Sequence, residues 1–202
     1  MKQVKRRIGT EQSATRSVIL DTAEKLMLEQ GYAAVSARQV AKVADLKHTL
    51  VHYYFPTTDD LFLAVYRRAA GQVQEHLEAA LASPTPLRAF WEHTSNSSRT
   101  GLAIEFMALA NHRKVIRDEI ARHFELVRAR HAEALAELLY PQIADPEVLP
   151  PLGLSVLVVG VARALVMEAG LGISSGHAQA RAFVERLLRL HEKPRPKAKR
   201  KT

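Results

Sequence analysis

The chain has 202 residues, enough for one large or two small domains, and 47% of them are hydrophobic, which excludes global disorder. The formal net charge of +8 favours a polyanionic partner, with nucleic acid ahead of an anionic membrane surface. The absence of cysteine excludes disulfides, thiolate metal sites and a thiol nucleophile.

The N-terminal segment, residues 1–12, is basic and has little that is apolar. It lacks the apolar core of a secretory signal, and no apolar run elsewhere reaches the roughly 18 residues of a membrane-spanning helix. We therefore expect a cytoplasmic protein with no membrane partner. The segment itself is interpreted as a mobile arm, which either lies along DNA or serves as a solubilising tail.

The first predicted helix covers about residues 14–30, and Gly31 ends it as a left-handed C′ residue. We expect Tyr32 to pack back on the segment that follows. The buried stripe of the helix is predicted at Val18, Ile19, Thr22, Ala23 and Leu26.

Residues 36–55 read as two short helices joined by a tight turn. Ser36 is suited to cap the first helix, because its hydroxyl can accept a backbone N–H that the helix start leaves unpaired. The turn is predicted at Asp45 and Leu46, and the second helix covers about residues 47–53, with Leu50 and Tyr54 directed inward. Its outward residues are all capable of hydrogen bonding, namely Lys47, His48, Thr49, His52 and Tyr53. Such a helix suits a DNA major groove, whereas the alternative is an ordinary helical hairpin with a solvated face.

A set of residues between about 16 and 68 resembles the signature of the TetR/AcrR family of transcriptional regulators. These residues are Leu26, Gly31-Tyr32, Val35-Ser36, Val40-Ala41, Ala44, Leu46, Tyr54-Phe55-Pro56 and Leu61. The resemblance implies an all-α fold, with an N-terminal three-helix helix-turn-helix DNA-binding domain and a C-terminal helical domain for ligand binding and dimerisation. We divide the chain accordingly into residues 1–12, 13–68, 69–191 and a basic disordered tail, 192–202.

The resemblance also implies that the second helix of the motif enters the major groove of double-stranded DNA. The candidate DNA-binding residues are Ser36, Arg38, Gln39, Lys47, His48, Thr49, His52, Tyr53 and Thr58. The chain departs from the family pattern at four of its positions, where Asp45 and Thr49 replace Gly, His52 replaces Tyr and Thr58 replaces Lys. Arg67 and Arg68, together with the two basic termini, could offset the charge that is absent at position 58.

The remaining chain is predicted to be helical over about residues 58–81, 87–96, 100–111, 114–139, 152–171 and 176–191. Thr57 or Thr58 caps the first of these helices, and Ser174 or Ser175 caps the last. Prolines break the chain near residues 83–86 and 144–151. The buried stripe of the last helix is predicted at Ala182, Phe183, Leu187 and Leu190.

The C-terminal half contains a candidate ligand pocket and a candidate dimer interface. The pocket residues are predicted to be Phe90, Trp91, Thr94, Glu105, Phe106, Met107, Phe124, Val127 and His131. Each of them could instead be plain core, and Glu105 could face solvent. The helix over residues 152–171 is apolar on nearly every face, so it is either central in its own monomer or pairs with the last helix and their copies in a homodimer.

We therefore expect a repressor that binds a palindromic operator as a homodimer and is released by a small-molecule effector. No catalytic residues, metal ligands or cofactor are predicted, because no nucleophile, base and orienter can be assembled. Nine histidines leave a metal sensor or an enzyme as one alternative. A non-specific DNA or membrane-surface binder driven by charge is the other.

Overall fold

The computed structural model describes residues 13–140 and 146–193, and within these ranges it is all-α, as predicted. The predicted arm, part of the second proline-rich loop and the tail from residue 194 lie outside the described residues. The described helices are α1 Ala14–Gln30, α2 Ala37–Val43, α3 His48–Tyr54, α4 Thr58–Leu81, α5 Pro86–Thr94, α6 Ser97–Ala110, α7 Lys114–Leu139, α8 Pro151–Gly170 and α9 His177–His191.

Two compact units divide the chain. The first unit contains the described part of Met1–Ala70 together with Leu102–Ile120, and the second contains Gly71–Gly101 and the described part of Ala121–Thr202. The first unit is therefore discontinuous in sequence, because the second half of α6 and the start of α7 belong to it. The predicted division at residues 68 and 69 assigns residues 102–120 to the C-terminal domain, whereas they cluster with the first unit.

Helix α1 has the predicted bounds but a shifted buried face. Val18 is exposed, and the Thr22 hydroxyl donates a hydrogen bond to the Val18 carbonyl oxygen over 2.8 Å instead of entering the core. The predicted stripe was thus wrong at these two positions, because the helix turns Leu20 and Met27 inward instead. The buried residues are Ile19, Leu20, Ala23, Leu26 and Met27.

Gly31 ends α1 with φ 81° and ψ 162°, a positive-φ extended conformation instead of the predicted left-handed helical one. This region of the backbone map is essentially restricted to glycine. The chain then enters a short 3-10 turn over Tyr32–Ala34 and reaches the cap of α2.

The start of α4 is a reciprocal cap that resolves the predicted alternatives in favour of Thr57. The Thr57 hydroxyl accepts the Asp60 backbone N–H over 3.0 Å, and the Asp60 carboxylate accepts the Thr57 N–H over 3.0 Å. Two otherwise unpaired backbone donors are satisfied, and both acidic residues of the first turn, Asp59 and Asp60, lie at the positive end of the helix.

The core of the second unit is built by α4, α5, α7 and α9 around Leu77, Leu87, Phe90, Leu135, Leu139 and Leu188. Helix α9 contributes Leu188 rather than the predicted stripe, since Phe183 and Leu190 are exposed. Gly176 precedes α9 with φ 80° and no side chain caps it, so the predicted serine caps were wrong.

Among the described helices, α8 alone has the dimensions to span a membrane. It is a 20-residue helix long and apolar enough to do so by length and composition, even though Arg163 and Glu168 lie within it. Leu154, Val158 and Val159 pack on the core of the second unit. The opposite face leaves large apolar side chains exposed, at Leu152, Val156, Leu157, Val161 and Met167.

Candidate nucleic-acid interface and ligand site

The α2–α3 hairpin is built by local hydrogen bonds that the sequence specifies. The Ser36 hydroxyl accepts the Gln39 N–H over 3.1 Å, which confirms the predicted cap of α2. Asp45 adopts φ 52° in the turn, the positive-φ conformation that the glycine of the family pattern would adopt with less strain. The Leu46 N–H then donates to the Ala41 carbonyl oxygen over 2.9 Å, which fixes the entry into α3.

Val51 anchors α3, because its side chain is fully buried in the first unit. The predicted anchors, Leu50 and Tyr54, are only half-buried. The Tyr54 hydroxyl lies 2.7 Å from the Ser13 hydroxyl, which ties the end of α3 to the residue that precedes α1. The apolar run Leu50-Val51 at helical spacing from Tyr54 was the signal that could have identified Val51.

All nine predicted DNA-binding side chains reach the surface of the first unit. Gln39 and Thr58 are half-exposed, and the other seven are exposed: Ser36, Arg38, Lys47, His48, Thr49, His52 and Tyr53. The rings of His48 and His52 contact edge to face, with centroids 4.4 Å apart. The outward face of α3 therefore presents a row of hydrogen-bonding groups one helical turn apart.

Ion pairs within the first unit engage the two arginines expected to offset the missing charge at Thr58. Arg68 contacts Asp21 at 2.5 Å and Glu24 at 2.7 Å, both on α1. Arg67 contacts Glu119 on α7 at 2.7 Å. These guanidinium groups hold the helices of the first unit together, so they are poor candidates for phosphate contacts.

Glu105 joins α6 to the segment that follows α1 within the first unit. Its carboxylate accepts the backbone N–H of Tyr32 over 2.7 Å, at the start of the 3-10 turn. Phe106 packs edge to face on Tyr66, with ring centroids 5.1 Å apart, and Met107 is 53% exposed. These three predicted pocket residues belong to the first unit and form no part of the ligand site proposed below. No pattern in the sequence pointed to the Glu105 contact, which joins residues 73 positions apart.

The other six predicted pocket residues belong to the second unit. Phe90, Thr94 and His131 are buried, and the remaining three are half-buried: Trp91, Phe124 and Val127. Phe90 contacts His131 edge to face at 5.1 Å between ring centroids. Phe124 lies beneath the guanidinium of Arg163, whose Cζ is 5.0 Å from the ring centroid. The structure thus brings aromatic and basic groups together here.

Two histidines with lowered pKa lie among these groups. Burial, with nearby positive charges as the smaller cause, lowers the pKa of His131 to about 4 and that of His93 to about 4. Arg99 lies beside them, with Nη1 2.7 Å from His93 Nδ1, and burial lowers its pKa as well. The imidazoles are therefore neutral at neutral pH. Arg99 was not predicted as a pocket residue, since its alignment with His93 depends on the turn between α5 and α6.

In the described part of the chain, no group of three or more His, Asp or Glu side chains has the geometry to hold a metal ion. Several described histidines instead contact one another, as His48 and His52 do, or contact an aromatic ring or a carboxylate. His177, for example, lies 2.7 Å from the Glu168 carboxylate.

Residues 19–65 match the family model described as bacterial regulatory proteins, tetR family. The chain is 30% identical over 81 residues to the HTH-type transcriptional regulator BetI of Rhizobium meliloti (strain 1021), covering 40% of this chain and 39% of BetI. The chain aligns with about two fifths of the length of these curated relatives.

The fold is shared with solved structures. A Rhodococcus sp. protein described as a TetR-family transcriptional regulator aligns with a TM-score of 0.71 at 17% identity, over 89% of this chain and 99% of that one. A transcriptional regulator described from Saccharomonospora viridis, in complex with choline, aligns with a TM-score of 0.71 at 18% identity, over 86% and 97%. At these identities the likeness shows the fold alone.

Proposed function

We propose that the chain, whose residues 19–65 match the TetR family of bacterial regulatory proteins, is a member of that family and acts as a ligand-responsive transcriptional repressor of the cytoplasm. Residues 13–68 bind a palindromic operator, and residues 69–191 bind the effector and dimerise. The observation that carries the proposal is α3, a short helix anchored by buried Val51 that turns a row of polar side chains outward.

The chemistry of the exposed face supports distinct roles in DNA binding. Lys47, at the start of α3, suits a phosphate or a guanine edge, and Thr49 suits a thymine methyl or a phosphate. His52 and Tyr53 donate to phosphate oxygens. The hydroxyl of Ser36 retains its own proton for a phosphate while it caps α2, and Arg38 adds positive charge in the first turn of the same helix.

A homodimer through α8 and α9 accounts for the apolar side chains that these helices leave exposed. Phe183 and Leu190 on α9 are 62% and 63% exposed, and Val156 and Val161 on α8 are also exposed. A monomer gains nothing from exposing such a surface, whereas two-fold pairing of four helices buries it. The same symmetry provides two copies of α3 for the two halves of a palindrome.

Selection of bound sequences from random duplexes, at physiological salt, tests the DNA-binding proposal. We expect one palindrome to be preferred over random duplex by roughly 10³-fold or more. Lys47→Ala and Tyr53→Ala should each weaken binding to it, and the matched control Lys25→Ala, on the exposed side of α1, should not. If no sequence is preferred, or if binding is equal for all variants, α3 is not the reading helix and charge alone drives binding.

Sedimentation of two variants tests the dimer. Phe183→Glu places a charge in the proposed interface, so we expect a shift from dimer to monomer and a loss of operator affinity. Leu126→Glu introduces the same charge at an exposed site on α7 and should leave the dimer intact. A Phe183→Glu protein that stays dimeric contradicts pairing through α9.

A further inference from the structure

A cluster in the second unit joins three basic side chains from three helices. His93 comes from α5, Arg99 from the first turn of α6 and His131 from α7. Arg99 Nη1 lies 2.7 Å from His93 Nδ1, so the neutral imidazole accepts from the guanidinium, and a second bond at 3.3 Å reaches the His93 carbonyl oxygen. The His93 and His131 rings contact at 6.4 Å between centroids.

His131 holds an unused hydrogen-bonding atom inside this cluster. The side chain is only 6% exposed, and Nε2 has no hydrogen-bond partner in the described structure. Buried polar atoms are nearly always paired, because an unpaired one has lost its hydrogen bonds to water and gained none in the protein. This nitrogen, beside the Phe90 ring, is therefore open to a hydrogen-bond partner from outside the chain.

The electrostatic surroundings of His131 are positive. Apart from burial, which is the largest cause, the groups that lower the pKa of His131 are His93, Arg163, Arg128 and Arg130. Arg130 already has a carboxylate partner, Glu78, at 2.7 Å. A site of this sign attracts an anion and repels a cation.

Arg99 lacks a counter-ion. Both side-chain hydrogen bonds of its guanidinium go to His93, and among the described residues it forms no ion pair with a carboxylate. The group is only half-exposed, so its charge is partly desolvated. A partly desolvated guanidinium without a counter-ion is well suited to bind a carboxylate.

We propose that the cluster of His93, Arg99 and His131 binds the carboxylate of an apolar organic acid, and that this acid is the effector. Arg99 supplies the charge, and His131, in its Nε2–H tautomer, donates a hydrogen bond. The half-buried rings of Trp91 and Phe124 contact the apolar body of the acid. This inference rests on the proposed function, since it names the class of ligand to which the regulator responds.

Thermal shift and calorimetry on the full chain test the ligand class with four probes. The probes are benzoate and decanoate, which carry the charge, decanamide, which has the same apolar body without it, and choline, the ligand of the Saccharomonospora viridis relative. We expect a concentration-dependent rise in Tm with at least one acid and none with decanamide or choline. Binding of decanamide or choline as tight as that of the acids overturns the proposal, and so does the absence of a shift with both acids.

Two variants test the residues. Arg99→Gln should weaken binding of the acid roughly 10- to 100-fold, the effect of losing a charge-assisted hydrogen bond, while Arg117→Gln, an exposed α7 arginine, should not. His131→Phe removes the unpaired nitrogen and keeps the ring, so we expect a higher Tm together with weaker acid binding. A merely structural role for His131 would not raise stability and lower affinity at once, so unchanged affinity in both variants overturns the assignment.

Operator release separates this inference from the proposed function. If the chain selects an operator but the acids neither bind nor release it, the ligand class is wrong and the regulator proposal stands. If no operator is selected while the acids bind with the expected variant pattern, the regulator proposal fails and the carboxylate site stands.

Discussion

At the scale of single residues, the most unusual feature is the pair of neutral imidazoles formed by half-buried His93 and buried His131. A histidine is an expensive residue to bury, because its charged form loses hydration and its neutral form still needs hydrogen-bond partners. His93 satisfies one ring nitrogen through Arg99, and His131 leaves Nε2 unsatisfied. The chain thus gives up stability at His131, as functional sites commonly do.

The stability of the protein should depend on pH because of these two residues. Each folded-state pKa is about 4, below the ordinary 6.5, so between these values the unfolded chain binds protons that the folded chain does not. The free energy of unfolding therefore falls as pH falls from about 6.5 towards 4. We expect urea unfolding at fixed protein concentration to show this loss. In His131→Phe the free energy of unfolding should depend less steeply on pH. An equally steep loss in the variant would mean that His131 does not contribute.

Some residues were predictable from sequence because their roles are local. The Ser36 cap and the turn at Asp45 depend on neighbours within a few positions, and the structure confirms both. Val51 and Glu105 were missed because their roles depend on what covers them. Glu105 meets Tyr32 only after the chain has passed through α4 and α5.

At the scale of elements, helix α5 is held at its start by the far end of the chain. The Glu192 carboxylate accepts the backbone N–H groups of Leu87, over 3.2 Å, and Arg88, over 2.7 Å. The Arg88 guanidinium in turn forms two bonds of 2.9 Å with Glu185 on α9. Glu192, predicted as the first residue of a disordered tail, is instead an N-terminal cap for another helix.

Removing this cap should have a measurable cost. Glu192→Ala leaves two N–H groups of α5 without their acceptor, so we expect the free energy of unfolding to fall by about 1 kcal/mol. Glu192→Gln keeps one acceptor oxygen, so its free energy of unfolding should lie between those of wild type and Glu192→Ala. Lys193→Ala is the matched control that should leave stability unchanged. Urea denaturation at fixed concentration measures all three. Equal stability of wild type and Glu192→Ala would contradict the capping role.

Helix boundaries were predictable wherever a local signal marks them. The bounds of α1, α4 and α7 agree with those predicted, since Gly31, Thr57 and Tyr140 lie at the points where the helices start or stop. The inward face of α9 was not predictable. Its large apolar residues form one broad face, and the sequence alone does not say which edge of that face meets Leu135 and which edge is exposed.

At the scale of the whole molecule, charge is unevenly placed along the chain, and residues 193–202 carry six basic residues. If this segment follows the DNA backbone, its deletion should flatten the dependence of log K on log salt by about 0.9 for each phosphate that the segment neutralises. A chain of full length with these basic residues changed to Gln should behave like the deletion, which separates charge from length. Filter binding over a range of salt measures the slope. An unchanged slope would show that the segment does not touch DNA.

The all-α architecture was predictable because the helix-turn-helix signature is compact and the remaining helices are marked by prolines and caps. The pairing of distant segments was not. Residues 102–120 join the first unit through contacts such as Phe106 with Tyr66, and no periodicity or motif records which helix a side chain meets.

That discontinuity has a practical consequence for anyone who wishes to build a hybrid sensor from this chain. A graft that stops at residue 70 would leave Tyr32 without its carboxylate, Arg67 without Glu119 and Tyr66 without its aromatic neighbour. The transplantable part consists of two pieces of sequence, and a recipient scaffold must supply or accept both.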